Sequence, residues 1–374
     1  MEFLRNVYRL GVKELWSLWR DRIMLGLIVY SFTAAIYIAA TALPDSLHRA
    51  PIAVVDEDGS ALANRVVEAF YPPHFLAPAR ISAAEVDAGM DAGRYTFALD
   101  IPPDFQQRVL RGESPAVQLN VDATLMAQAF VGAAYVQQIV LREVNDFVGR
   151  RRPGELLPAE LALRIRFNPN LEQSWFGSVM ETIEQITMLT MVLTGAALIR
   201  EREHGTIEHL LVMPVTPAEI MLAKVWSMGL VVLAAAAVAL TAVVRGALGV
   251  PIEGSLALFL ACATLHVFAV ASLGIFLATI ARSMPQFGIL TLLTLLPLQM
   301  LAGAVTPRES MPQLLQDLML GAPTTHFVMA SQAILYRGAG IDVVWPQMLA
   351  LAGIGAALFL AALARFRRSI TLLI

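Results

Sequence analysis

Residues 200–226 read "REREHGTIEHLLVMPVTPAEIMLAKVW", and apolar stretches of membrane-span length lie on both sides. The segment carries Arg200, Glu201, Arg202, Glu203, His204, Glu208, His209 and Glu219, with prolines at 214 and 217. Its punctuation is legible. Thr216-Pro217-Ala218-Glu219 forms a capping box with proline at the first helical position. An apolar helix therefore starts near Pro217, and Pro214 stops whatever precedes it. Between them "GTIEHLLVM" is long enough for a short helix of about two turns. Thr206 can cap it, and Glu208 suits its positive end. Ile207, Leu210 and Leu211 share one face, which Glu208 and His209 leave.

What does such a segment do between two apolar helices? His204 and His209 are five apart, or about 140° around a helix. Zinc-binding pairs of the HExxH kind sit four apart on one face, so no metal site is expected. Acidic residues outnumber basic ones here, against the usual bias of short cytoplasmic loops. Chemistry leaves two readings open. One is an amphipathic connector held on the membrane by Ile207, Leu210 and Leu211. The other is a docking element for a soluble protein.

Working outward, the chain of 374 residues is 57% hydrophobic and 15% charged. Soluble domains carry about 25% charged residues, so this is an α-helical integral membrane protein. Six stretches reach the ~20 apolar residues of a span, at about 23–43, 179–199, 220–244, 256–280, 286–305 and 343–364. An interfacial helix over 1–22 precedes them, with apolar residues at helical spacing and Arg and Lys between, a pattern suited to lipid headgroups. "ATA" at 40–42 resembles a signal cleavage site, but the run before it is too long for a signal peptide. Arg5, Arg9, Lys13, Arg20 and Arg22 precede the first span, Arg365, Arg367 and Arg368 follow the last, and Arg282 lies in the turn between the fourth and fifth. The positive-inside rule then puts both termini and the 200–219 loop in the cytoplasm.

Residues 44–178 differ, being polar and rich in Pro and Asp. They alternate strand and helix patterns, predicting an extracytoplasmic α/β domain inserted between helices 1 and 2. "PIAVVDED", "RYTFALDIP", "PAVQLNVDAT" and "ALRIRFNPN" read as strands. Ser60 caps a helix, and Gly112 ends another. Asp56, Glu57 and Asp58 read as a strand-end turn, since a calcium loop needs more oxygen ligands and a later glycine. No nucleophile set with recognisable spacing appears. The one cysteine, Cys262, excludes an internal disulfide and a Cys-based metal site. Lysine occurs only at Lys13 and Lys224, neither after glycine, so a Walker A loop is absent. No basic run points to nucleic acid.

The quoted stretch resembles the coupling-helix region of ABC-2 type transporter permeases, whose pattern is close to "ERE-GT-E-LL--P------L-GK". "KELWSLWRDR" resembles the family's N-terminal helix. "DIPPDFQQRVLRGESPAVQLNVDAT" and "RFNPNLEQSWF" resemble its outer insertion. "SLGIFLATIARSMPQ" resembles its fourth-to-fifth turn, and "TPRESMPQLLQDLMLGAPTTHFVMASQAILYRGAG" its outer re-entrant region, here 306–342. The likeness covers nearly the whole chain. Ala223 stands where the family often has glycine, and "AGAVTPRESMP" departs from "LSGFIFPIESMP" at the outer mouth.

The resemblance implies the membrane subunit of an exporter in the bacterial inner membrane, not an enzyme. It would work as a homodimer, or with a paralogous permease, to export drugs, lipids or other amphiphiles. A cytoplasmic ATPase chain would hold ATP and Mg; this chain would bind no cofactor. The coupling helix, over 204–215, would dock that ATPase through Glu201, Arg202, Glu203, Thr206, Ile207, Glu208, Leu210 and Leu211. The outer domain could meet a periplasmic adaptor. Charged and polar groups within spans mark a path by default, which selects Glu181, Glu184, His266 and Gln299; for His266 an interhelical hydrogen bond is the competing reading. A membrane-anchored sensor or a secondary transporter with a periplasmic ligand-binding domain are the rival functions. The latter predicts paired intramembrane charges and inverted repeats, and neither stands out.

Overall fold

Asp21 separates the first two helices. In the computed structural model its carboxylate accepts a hydrogen bond from Met24 N at 3.1 Å, capping helix α2 (Arg22–Thr41) where α1 (Glu2–Arg20) ends. The structure describes residues 2–41, 49–122, 126–151, 173–203, 215–304, 308 and 311–371. They form two units, one of residues 1–43 with 167–374 and one of residues 44–166.

The first unit is helical. Besides α1 and α2, it holds the long helices α7 (Gln173–Glu203), α8 (Pro217–Ala247), α9 (Leu256–Ile280) and α13 (Ile341–Thr371). Shorter ones are α10 (Met284–Met300), α11 (Gln313–Met319) and α12 (Pro323–Leu335). The starts follow the sequence signals. Thr216 and Glu219 exchange both bonds of the capping box. Ser255 and Ser283 cap α9 and α10.

Among the described residues five helices are long and apolar enough to cross a membrane: α2, α7, α8, α9 and α13. The expected fifth span, 286–305, is only partly helical. It is 17 residues long and ends at Met300, after Pro297 and before Gly303 at φ 97°. At 1.5 Å per residue that gives about 25 Å, short of a ~30 Å hydrocarbon core. The expected second span, 179–199, lies within α7, which extends beyond it at both ends.

Helix α7 is the central post. Of its apolar window 83% is buried, against 17% for α13. Several of its hydroxyls are satisfied within the helix: Thr182 donates to Ser178 O at 2.8 Å and Thr194 to Thr190 O at 2.6 Å. Close contact with α9 depends on Gly274. A Cβ there would stand 2.7 Å from Met191 O.

The second unit contains a four-stranded sheet of order β2-β1-β3-β4, from β1 (Ile52–Asp56), β2 (Ala79–Arg80), β3 (Phe97–Ile101) and β4 (Gln118–Val121). The β1 strand pairs parallel with β2 and β3, in register Ile52↔Phe97 through Asp56↔Ile101, and β4 is antiparallel to β3. Helices α3 (Ala61–Glu68), α4 (Val86–Asp91), α5 (Phe105–Leu110) and α6 (Met126–Arg151) complete it. Ser60 caps α3, and Arg65 ties α3 to Glu143 of α6 at 2.6 Å. The acidic cluster is a turn. Asp56 Oδ1 accepts from Asp58 N and Gly59 N at 3.2 and 2.8 Å, with Gly59 at φ 59°. The expected last strand, 162–170, lies outside the described residues.

Overfilling the α7–α9 contact should destabilise the bundle. Gly274→Val should lower the thermal stability of the detergent-purified protein by about 1–3 kcal/mol. Gly353→Val, where no atom lies within 4 Å of the new Cβ, should leave it near the parent. Equal melting of the two variants would refute the packing role.

Candidate functional site

Helix α1 is amphipathic, and it packs lengthwise on α8. The Trp226 indole of α8 lies against Gly11, where a Cβ would clash with the ring. Trp226 Nε1 donates to Val7 O at 3.1 Å, and its ring stacks on Tyr8 with centroids 6.0 Å apart. Asn6 Nδ2 donates to Glu219 Oε1 at 3.1 Å, so the residue that caps α8 also holds α1.

Beneath this contact lies a cluster of four charges. Lys224, 1% exposed, pairs with Glu14 Oε1 at 2.9 Å and with Glu201 Oε2 at 2.7 Å. It also donates to Ala197 O at 3.3 Å. Lys13 closes the group, 2.6 Å from Glu201 Oε1 and 3.7 Å from Glu14. Two lysines balance two glutamates, and α1, α7 and α8 each contribute at least one. Burial opposes the charge on Lys13, but the hydrogen bond and attraction of Glu201 outweigh it and hold the ammonium above the usual lysine range. For Glu14 burial wins over the attraction of Lys224, and the carboxyl sits above its usual range.

The end of α7 is fastened on its other sides too. Arg200 Nη1 reaches Asp21 Oδ2 at 2.7 Å. Arg202 Nη1 donates to Ala281 O and Ala278 O at 2.9 and 3.3 Å, satisfying carbonyls left over at the end of α9. Glu203 Oε1 accepts from Met284 N at 2.8 Å, at the start of α10. Four consecutive side chains, 200–203, thus tie the end of α7 to α1, α2, α8, α9 and α10. The next residues, 204–214, lie outside the described set, and α8 starts immediately beyond.

The family resemblance implied Glu201, Arg202 and Glu203 as contacts for another protein. In this chain each has an intramolecular partner, and Glu201 is buried. Thr206, Ile207, Glu208, Leu210 and Leu211 lie outside the described residues. The other candidates gather on two turns of α7. Glu181 accepts from Gln185 Nε2 at 2.6 Å, and Gln299 Nε2 donates to Glu184 O at 3.4 Å. His266 Nε2 lies 2.8 Å from Thr187 Oγ1, an interhelical bond, and its buried ring stacks on Phe327 at 4.1 Å. Among the described residues no three His, Cys, Asp or Glu could hold a metal ion. The roles of Glu14 and Lys224 were missed. The available signal was that the chain's only two lysines include one inside an apolar run.

Removing one partner from a buried charge cluster leaves uncompensated charge. Lys224→Met should therefore cost about 3–5 kcal/mol in unfolding of the intact protein. Adding Glu14→Gln, which leaves one lysine facing one glutamate, should recover part of the loss. A double variant as unstable as the sum of the singles would contradict the pairing.

Comparison with known proteins fits this architecture. The model for the ABC-2 family transporter protein matches residues 22–364. The chain is 60% identical over 370 residues to the inner membrane transport permease YhhJ of Escherichia coli (strain K12), covering 99% of each. It is 29% identical over 364 residues to the probable multidrug ABC transporter permease YbhR of the same strain, covering 96% of this chain and 97% of the relative. By the extent of the family match and this degree of identity, the chain is a member of the ABC-2 transporter family.

Proposed function

We propose that the chain is the membrane-spanning permease subunit of an ATP-driven exporter, coupled through helix 206–213 to a separate ATPase chain. The observation that carries this is the fastening of residues 200–203 and 216–226. Both ends of the 204–214 segment are anchored into the bundle, so a push on that segment reaches α1, α7, α8, α9 and α10 together. The absence of a Walker A loop fits a chain that draws its energy from a partner holding ATP and Mg. Thr206, Ile207, Glu208, Leu210 and Leu211 contact that partner. Glu201, Arg202 and Glu203 pass the load inward.

In this reading α10, with the described residues that follow it, is the fifth of six spans. Both termini and 204–215 are cytoplasmic, and the 44–166 unit is extracytoplasmic, available to a periplasmic adaptor. The names of the relatives support the bacterial inner membrane as location and drugs or similar amphiphiles as cargo. Glu181, Glu184, His266 and Gln299 lie along or beside the path. Two copies meet through α10, whose exposed Ile289, Leu292, Leu293, Leu296 and Met300 recur at helical spacing.

Glu208→Lys with Leu210→Asp should abolish stimulation of the ATPase partner in proteoliposomes while membrane insertion stays intact. Stimulation equal to the parent's would defeat the coupling role. For the dimer, Leu293→Cys should give a disulfide-linked pair under mild oxidation, since the sole natural cysteine, Cys262, is buried. Leu349→Cys, exposed on α13, should not. Cross-linking at Leu349 and not at Leu293 would put the interface on α13 and overturn its assignment to α10.

A further inference from the structure

Helix α1 does not cover the whole flank of α8. Between Phe3 and Val7 of α1, the face of α8 from Leu222 to Leu233, and Phe268 of α9 lies an open groove of about 460 Å³. Its dimensions suit a lipid. The stretch from Leu222 to Leu233 rises about 16 Å, close to half of a hydrocarbon core about 30 Å thick. It begins just inside the start of α8 at Pro217, so it runs from the headgroup level through one leaflet.

The wall offers nothing polar to an occupant. The Trp226 N–H is spent on Val7 O at 3.1 Å, and the Thr264 hydroxyl on Leu260 O at 2.8 Å. Leu230, 53% exposed, lines the opening. Only a hydrocarbon fits such a site without leaving its own polar groups unpaired. Above it, α1 carries Arg5, Arg9, Lys13 and Arg20 against Glu2 and Glu14. Lys13 and Glu14 are consumed by the buried cluster, and Arg5 meets Glu2 only at 3.6 Å between two exposed side chains. That leaves Arg5, Arg9 and Arg20, all exposed; Arg5 and Arg9, one turn apart, belong to the half of α1 whose Phe3, Leu4 and Val7 line the groove.

We propose that this groove holds one acyl chain of an anionic phospholipid, from the leaflet on the α1 side, with its phosphate against Arg5 and Arg9. The inference rests on α8 and α9 crossing the membrane and on no choice of cargo or ATPase. The lipid then completes the packing of α1 on the bundle and holds that helix at the membrane surface.

Tryptophan quenching by brominated lipid tests it. The full-length chain, with Trp16, Trp19, Trp175 and Trp345 replaced by Phe, keeps only Trp226; a companion keeps only Trp345, exposed on α13. Both are reconstituted in phosphatidylcholine vesicles with a minor fraction of chain-brominated phosphatidylglycerol or phosphatidylcholine. Brominated phosphatidylglycerol should quench Trp226 selectively, the preference being about fivefold per arginine. Arg5→Gln with Arg9→Gln should remove the preference. Thr264→Phe, which fills the groove, should remove the quenching at Trp226 and leave Trp345 unchanged. Quenching of Trp345 without quenching of Trp226 would overturn the proposal while leaving the membrane placement intact, as would equal quenching of Trp226 by the two lipids. Absence of quenching at both tryptophans would overturn the membrane placement and the groove together.

Discussion

The ion cluster of buried Glu14, Glu201 and Lys224, closed by the half-exposed Lys13, is the constraint on which the helical unit depends. Charges withdrawn from water are tolerated only when paired with good geometry. Here each lysine lies within 3 Å of a carboxylate oxygen. The pairing is also exacting about position, because it closes only when α1, α7 and α8 are all in register. An amphipathic helix that could otherwise float on the membrane surface is thereby fixed to two long apolar helices at one level.

The rest of that end of the molecule is arranged around the same point. Trp226 seats α1 through Gly11, and Glu219 serves both as the cap of α8 and as the acceptor for Asn6. Arg200, Arg202 and Glu203 extend the fastening to α2, α9 and α10. Such a base is stiff because most of its links are charged hydrogen bonds, joined by the close contact and hydrogen bond of Trp226 with α1. A stiff base is what an external push requires, since a segment that yielded locally would absorb the motion instead of passing it to the spans. The groove beside Trp226 belongs to the same design. Protein covers one side of α1, and a lipid chain would cover the other.

How much of this was legible beforehand depends on the range of the interactions involved. Local signals read well. Thr216-Pro217-Ala218-Glu219 forms its capping box, Ser60 caps its helix, and Asp56 builds its turn with Gly59, because each involves residues within a few positions. Apolar run length located α9 at 256–280. It overran α10, where Pro297 and Gly303 end the helix inside an apolar run. Long-range pairing was hidden. The resemblance put Glu201 among residues that meet another chain, yet its partners within this chain come from positions 13 and 224. No periodicity within one segment reveals that. His266 was readable in kind, as an interhelical hydrogen bond, but not in partner, Thr187.

The account turns on the claim that force enters through the segment between α7 and α8. Placing a photocross-linking amino acid at Leu210 in the full-length protein, in intact bacterial membranes, tests that claim most directly. The predicted result is a covalent adduct with a separate chain that carries a Walker A loop, lost when nucleotide-free membranes are stripped of peripheral proteins before illumination. Adducts confined to lipid or to another copy of this chain would contradict it.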